Sequence, residues 1–270
     1  ISIDRLKLNN TANFVLPTTW DEGTVSFYTK VRSLHNQEVT STPFNLAFNA
    51  RKVPTYWYLP VNTGTAGLPT LISTAEMNSQ RSYLEAVYPV SRVNWVQKPW
   101  TVVGATTVGN TIAGLNEYYN SAVLAWVLTV VFTGVPPFTL PDQVYGFVPS
   151  GGGISDPTWI GANGRVARGY LGSSLEGTLA HEINHNLDRS ATGTWGRHVP
   201  FDCGAAGPDP SWPYANDDIQ EVGFDTRQPW VDTAAQVSVV PGTWPDYMSY
   251  CQSGKLPTKW VSPYRWSNQY

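Results

Sequence analysis

The most informative stretch of this chain is GTLAHEINHNL, residues 177–187. Leucine or isoleucine recurs every four residues from Leu175 onward, and this period predicts a helix with one apolar face. Ser173 and Glu176 have the spacing of a capping box, so we expect the helix to begin near Ser174.

His181 and His185 are four residues apart on the predicted helix, so both rings project from one face. Two imidazoles one turn apart can bind a single tetrahedral cation, and Glu182 lies beside them as a base for a metal-bound water. This composition would produce an HExxH match about 0.002 times by chance. Three of the four histidines, His198 being the third, fall within eighteen residues. The alternative is a pair of solvated histidines on a helix surface.

Length and composition indicate a globular protein. The 270 residues can bury a sizeable core, and 12 Trp, 14 Tyr and 9 Phe exceed what disordered chains carry. The net charge of −3 gives no excess of positive charge with which to bind nucleic acid or an anionic membrane. The longest apolar run, 122–135, is shorter than the roughly 20 residues of a membrane span. We therefore predict a buried helix there, with a strand or turn at its end, and no transmembrane segment.

Strand and helix patterns divide the chain at about residue 52. Residues 1–52 suit a β-rich region, either part of an Ig-like module or a small β subdomain. Strands and helices alternate over 55–187, as in a sheet layered against helices. The many prolines beyond residue 187 predict mostly loops. The predicted strands are 14–16, 24–28, 44–48, 56–61, 90–96, 101–103, 143–148 and 165–171, and the predicted helices are 74–88 and 109–131.

The region around the histidines resembles the metzincin metallopeptidases, whose zinc-binding consensus is HExxHxxGxxH followed by a Met-turn. It is more similar to the secreted bacterial HEIGH metallopeptidases, in which a TLAHEIGHNLGR core precedes a histidine, a Pro-containing step, Cys-Gly and Met-Ser-Tyr-Cys. The match covers roughly 145–266, and residues 55–144 agree only in layout. The corresponding residues here are 178–187, Arg189, His198-Val199-Pro200, Cys203-Gly204 and 246–251.

The resemblance implies an α/β (α+β) fold, with a zincin or metzincin-like catalytic domain at 53–270. This domain would have a twisted, mostly parallel sheet, an active-site helix and a loop-rich C-terminal subdomain, divided into an upper part (53–188) and a lower part (189–270). The resemblance also implies that His181, His185 and His198 bind Zn²⁺, and that Glu182 activates a zinc-bound water to hydrolyse peptide bonds.

The sequence departs from the family pattern near the third ligand. Asp188 and Asn184 stand where the pattern has glycine, and His198 follows the second histidine by 13 residues rather than six. Asp188 could end the helix in a left-handed conformation, and the inserted residues 190–197 would then form a loop that returns to His198. Asp188 is also an alternative third ligand, because it continues the i, i+4, i+7 face. Glu221 is a further alternative.

Two segments near the C-terminus complete the resemblance. Met248 corresponds to the Met-turn, which forms a hydrophobic floor below the metal, and ordinary core filling is the alternative. Tyr250 corresponds to a tyrosine that in some metzincins turns toward the zinc or the oxyanion, and a packed aromatic is the alternative. The two cysteines lack a CxxC spacing, which excludes a thiolate zinc finger. A Cys203–Cys251 disulfide would tie the segment after the third ligand to the Met-turn.

These residues predict a secreted, monomeric, zinc-dependent endopeptidase acting on protein or peptide substrates, glycoproteins among them. An extended substrate is expected to pair with an edge strand at 145–149 or 165–171, and 252–264 would form one wall of the cleft. Four acidic residues in the C-terminal half are calcium candidates, but they lack an EF-hand spacing and suit a solvated acidic loop better. These residues are Asp202, Asp209, Asp217 and Asp218.

Two other function classes stay open. Abundant Trp and Tyr with few charges also suit a non-catalytic carbohydrate- or protein-binding module, but this leaves the pattern of His181, Glu182 and His185 unexplained. The second alternative is a zinc hydrolase that acts on cell-wall amides or esters. Hydrolysis that a chelator abolishes would favour an enzyme, whereas saccharide binding that a chelator leaves unchanged would favour the module.

Overall fold

Two compact units make up the described part of the chain, one ending at Lys52 and the other beginning at Val53. The computed structural model describes residues 23–49, 52–62, 74–99, 101–102, 108–148, 152–157, 164–170, 177–188, 193, 196–201, 207–227, 239–251 and 259–269.

The described residues of the N-terminal unit form four short strands: β1 (Gly23–Phe27), β2 (Lys30–Arg32), β3 (Glu38–Thr40) and β4 (Phe44–Phe48). β1 pairs with β4 and β2 pairs with β3, both antiparallel, so the two pairs are nested. The predicted strands at 24–28 and 44–48 are confirmed within one residue. The predicted strand at 14–16 lies outside the described residues.

The second unit begins as an alternation of strands and helices and ends in short elements. Two of its helices fall close to the predicted 74–88 and 109–131. The elements are β5 (Thr55–Asn62), α1 (Thr74–Val87), β6 (Asn94–Gln97), β7 (Thr101–Val102), α2 (Val108–Thr133), β8 (Gln143–Val148), β9 (Ile154–Ser155), β10 (Val166–Tyr170), α3 (Thr178–Leu187), β11 (Gly223–Phe224), β12 (Val239–Val240) and α4 (Pro263–Asn268).

The central sheet has the strand order β6-β5-β8-β10-β9, with β7 beside the end of β5. Every pair in it is parallel except β9 with β10. Parallel neighbours need long crossover connections, and α1 and α2 lie in two of them. The predicted mixed α/β fold with a mostly parallel sheet is therefore confirmed.

The predicted edge strands are wrong. The segment 145–149 overlaps β8, and the segment 165–171 contains β10. β8 lies inside the sheet between β5 and β10, and β10 lies inside it because β9 pairs with its outer side. The apolar character of β8 agrees with this interior position, since strands buried on both faces have nearly continuous apolar runs. Among the described strands, β9 forms this edge.

Alternate side chains of β5 pack on opposite faces of the sheet, each against a different layer of helices. Tyr56 and Tyr58 pack in one apolar core with residues of α1 and α3, whereas Trp57, Leu59 and Val61 pack in the other with α2. This alternation follows from the two-residue period of a strand. The active-site candidate α3 thus lies on the same face of the sheet as α1.

The prediction of a buried helix at 122–135 is wrong about burial. α2 covers this run as far as Thr133, but Leu124, Val131 and Phe132 are exposed, Phe132 by 82%. A helix of this length extends about 39 Å, whereas a six-residue strand extends about 20 Å. The first half of α2 therefore packs on the sheet through Ile112 and Leu115, and the second half continues beyond it.

The described residues of the C-terminal part lie mostly in loops, as the prolines predict. β11 and β12 form an antiparallel pair, and α4 begins at Pro263 with the Ser262 hydroxyl accepting a hydrogen bond from the Arg265 amide. Among the helices of the described ranges, none has the length and hydropathy that crossing a bilayer requires.

Candidate metal centre

Helix α3 places His181 and His185 one turn apart, and both side chains are buried. The helix begins at Thr178 after Gly177, which provides no side-chain cap. Ser173 and Glu176, the predicted capping box, lie outside the described residues. The Leu179 amide instead donates to the Gln80 side chain of α1, 3.2 Å away.

Polar partners fix the buried α3 in place. The Asn184 Oδ1 accepts hydrogen bonds from the Tyr247 hydroxyl (2.8 Å) and from the side-chain amide of Gln269 (3.0 Å). The side-chain amide of Asn186 donates to Gln143 Oε1 and to the Val166 carbonyl, each at 2.9 Å. Because unpaired buried polar groups are costly, these bonds determine the rotation of the helix. Asn184 therefore has a structural role where the family pattern has glycine.

His198 joins the two helix histidines. The Nε2 atoms of His181 and His198 are 3.2 Å apart, and one ring nitrogen from each of the three residues lies within 4.8 Å of the others. Two zinc–nitrogen bonds of about 2.0–2.1 Å at a tetrahedral angle would separate their nitrogens by about 3.3 Å. The three histidines are thus close enough together to hold one metal ion.

Backbone carbonyls orient the two helix histidines for binding through Nε2. The Nδ1 atom of His181 is 3.1 Å from the Tyr247 carbonyl oxygen, and that of His185 bonds to the Gly196 carbonyl. A proton on Nδ1 leaves the Nε2 lone pair for a metal. Burial, together with the neighbouring histidines, lowers the pKa of His181 well below 6.5 and that of His185 to about 3. Both rings are therefore neutral at pH 7, as metal ligands must be.

Asp188 is not part of this cluster. Its Oδ2 accepts a hydrogen bond from the Gly196 amide (2.8 Å), and the Gly196 carbonyl in turn holds His185. Asp188 ends α3 in an extended conformation (φ −68°, ψ 103°), so the predicted left-handed conformation is wrong. The geometry gives this carboxylate a supporting position behind the second histidine. Glu221 also lies outside the cluster.

Glu182 is buried on α3, directly after His181 in the sequence, and its carboxylate packs next to the edge of the sheet. A side chain at Gly153 would collide with its carboxylate, and the Ser155 hydroxyl donates a hydrogen bond to it. Burial raises the pKa of Glu182 to about 8, although nearby Arg168 and Ser155 act to lower it. Arg168 itself bonds to the Gly152 carbonyl (3.4 Å), so it holds the segment against which Glu182 packs.

Tyr250 is half-exposed, whereas Met248 is fully buried. The Tyr250 hydroxyl is 3.4 Å from His181 Nε2, and its half-exposed ring is 4.7 Å from that of His198. Met248 is fully buried in a turn where its amide donates to Asp246 Oδ1 (2.9 Å). Its carbonyl accepts from the Val199 amide (3.4 Å), which links this turn to the segment of His198.

The acidic residues proposed for calcium do not converge among the described residues. Asp209 is buried against Arg265, so the expectation of a solvated loop is wrong for it. Asp217 accepts a hydrogen bond from the Ser249 hydroxyl (2.7 Å), and the Asp218 carboxylate accepts one from the Asn216 side-chain amide (2.7 Å). Asp202 lies outside the described residues.

The predicted disulfide has one partner in the described part of the chain. Cys203 lies outside the described residues, so the pairing stays a prediction. The Cys251 sulfur lies 2.5 Å from the carbonyl oxygen of Phe201, two residues before Cys203 in the sequence.

The buried groups predict how the stability of the metal-free protein depends on pH. The pKa of Glu182 is about 8 when folded and near 4.5 when unfolded, so its contribution to stability is lost as the pH rises through that interval. The histidines act oppositely, because the unfolded chain binds more protons below pH 6.5. Between pH 6.5 and 8, Glu182 dominates, and the free energy of unfolding should fall by up to about 1.4 kcal/mol per pH unit.

Urea denaturation of the metal-free protein across pH 6.5–8 measures this slope. Glu182→Gln should remove it, because glutamine does not titrate. An unchanged slope in that variant would assign the pH dependence to another group.

Comparison with known proteins assigns no family to this chain. No protein-family model matches the chain, and a search of curated proteins found no match. One similar solved structure is described as "Structure of a chaperone-substrate complex", with 14% identity over 69% of this chain and a TM-score of 0.32. The chain covers 35% of the length of that protein.

Proposed function

We propose that this chain is a secreted, zinc-dependent endopeptidase of the metzincin type that acts on proteins or peptides. The observation that carries the proposal is the convergence of His181, His185 and His198, with Glu182 buried directly after His181 on the same helix. Export agrees with the predicted Cys203–Cys251 disulfide, since such bonds persist in oxidising compartments.

The donor set fits zinc. Three neutral imidazoles suit this borderline-soft cation and leave a fourth coordination position for a water or substrate. When bound, zinc supplies a Lewis acid that makes a water acidic at neutral pH and polarises the scissile carbonyl. A divalent cation nearby also favours the charged form of a carboxylate, and this opposes the effect of burial on Glu182.

Two side chains then perform the proton transfer and charge stabilisation. Glu182 accepts a proton from the attacking water and returns it to the leaving amine. The Tyr250 hydroxyl, near His181 at the open side of the cluster, donates a hydrogen bond to the developing oxyanion.

The edge strand β9 is suited to binding an extended substrate. Among the described strands it pairs only with β10, and Gly153, just before it, lies against Glu182. A peptide added to the outer side of β9 would therefore pass next to the proposed base. The absence of a side chain at Gly153 leaves room for the Glu182 carboxylate, which lies where a Cβ would be.

Proteolysis assays with and without a chelator test the proposed function. We expect cleavage of casein, gelatin or a glycoprotein that 1,10-phenanthroline abolishes and stoichiometric zinc restores, because the mechanism requires the cation. Purified cell walls are assayed in parallel. Release of cell-wall fragments without any cleavage of proteins would replace the peptidase with an amide hydrolase, and failure to hydrolyse either substrate would contradict an enzymatic role.

A further inference from the structure

Arg265 on α4 is a fully buried cation that joins three segments. Its Nη2 donates to the Arg197 carbonyl (2.6 Å), its Nη1 lies 3.4 Å from Asp209 Oδ2, and its Nε lies 3.7 Å from Asp246 Oδ1. The guanidinium also lies 5.2 Å from the centre of the Trp212 ring.

Two of these partners, Arg197 and Asp209, adjoin His198 in the sequence or contact it in space. Arg197 directly precedes it, and the Asp209 amide donates to the His198 carbonyl (2.8 Å). The guanidinium therefore hydrogen-bonds the residue before the third histidine. It also pairs with Asp209, whose backbone amide holds the His198 carbonyl.

The third partner belongs to the turn of Met248. Asp246 Oδ1 accepts from the Met248 amide (2.9 Å), and Asp246 Oδ2 accepts from the Ser262 amide at the start of α4 (3.0 Å). The carbonyl of Tyr247, in the same turn, holds the ring of His181. Arg265 thus contacts the supports of two histidines that lie 17 positions apart in sequence.

His198 depends on such external support more than the other histidines do. A helix fixes the spacing of His181 and His185, whereas His198 lies in a loop. A buried ion pair is often replaceable by apolar residues without loss of stability. The planar fork of arginine, however, can hold several acceptors in fixed directions, which an apolar side chain cannot.

We infer that Arg265 is a positioning residue of the metal centre, which sets the affinity and coordination geometry of the site through His198 and the Met248 turn. The inference rests on the metal binding in the proposed function, but not on peptide hydrolysis. It assigns α4, which contributes no ligand, to the architecture of the site.

Metal titration of Arg265→Met tests the inference. We expect zinc to bind about 10–100-fold more weakly, the range observed when supporting contacts of metal ligands are removed. Competition with a chromophoric chelator measures the affinity, and the visible absorption of the Co²⁺-loaded protein reports the coordination geometry. The thermal midpoint of the metal-free protein is measured separately for each variant.

Arg227→Met is the matched control. Arg227 also pairs with a carboxylate (Asp225, 2.7 Å) and lies 5.0 Å from the centre of the Tyr83 ring. Both of these partners lie outside the segments that carry the three histidines. A purely structural role for Arg265 would lower the thermal midpoint, as in the control, and leave zinc affinity and the Co²⁺ spectrum unchanged. That result would overturn the inference.

If Arg265→Met does not fold, Arg265→Lys decides, because lysine keeps the charge but lacks the fork. Weaker zinc binding supports the inference, and wild-type affinity overturns it. Wild-type protein that binds zinc but cleaves no substrate would contradict the proposed function alone. Wild-type protein that binds no metal would overturn both.

Discussion

Glu182→Gln protein is expected to bind zinc as the wild type does and to hydrolyse peptides about 10²–10⁴-fold more slowly, the range attributed to a positioned general base. Glutamine has the shape of glutamate but cannot accept the proton of the attacking water. The measurements are kcat/KM on a fluorogenic peptide and the zinc content of the purified protein. Glu182→Ala should give the same two results.

The glutamine variant should fold, because the site already favours a neutral side chain at this position. Burial raises the pKa of Glu182 to about 8, and the space between Gly153 and the Ser155 hydroxyl fits a group of this shape. Glu117→Gln is the control, since Glu117 is an exposed glutamate on α2. Full activity in Glu182→Gln would exclude Glu182 as the base, and loss of zinc would instead assign it to maintaining the site.

The parts of the fold that local patterns determine could be predicted. The strand at 143–148 has the predicted bounds, because its run of apolar and β-branched residues is flanked by prolines, glycines and an aspartate. Helix α1 was predictable within one residue, and Leu84 and Val87 are buried on its apolar face. Both elements carry their signal within their own sequence.

Features that depend on distant partners could not be predicted in this way. β9 has two residues and exists because residues 154–155 pair with β10, so no periodicity could reveal the edge. The exposure of Phe132 depends on where the sheet ends relative to α2, which the apolar sequence of the helix does not encode. An apolar run predicts a helix, whereas its burial depends on neighbouring elements.

The candidate site shows the same division. The i, i+4 spacing places His181 and His185 together through helix geometry alone, whereas the choice of His198 needed the family resemblance. The carbonyl groups of Tyr247 and Gly196 that orient the rings could not be predicted, because backbone acceptors have no residue-type signature. Arg168, which holds the segment beside Glu182, was missed, although an arginine inside an apolar strand pattern was an available signal.

His198→Ala and His185→Ala are each expected to lose zinc and peptide hydrolysis together. Removing one of three nitrogen ligands should weaken binding by more than the roughly 10–100-fold that loss of a supporting contact costs. His35→Ala is the control, because His35 is exposed in the N-terminal unit. Zinc affinity and activity are measured on the same preparations, and the apo proteins are compared for thermal stability.

Asp188→Asn distinguishes the two candidates for the third ligand. An asparagine Oδ1 can still accept the hydrogen bond of the Gly196 amide, so the carbonyl that holds His185 should stay in place and zinc affinity should fall little. A carboxylate ligand, by contrast, would lose its charge in this variant and much of its affinity for a divalent cation. Retention of zinc in His198→Ala with loss in Asp188→Asn would therefore make the carboxylate the third ligand. In that case Gly196 would have to release Asp188 on metal binding, and the supporting bond to His185 would be remade.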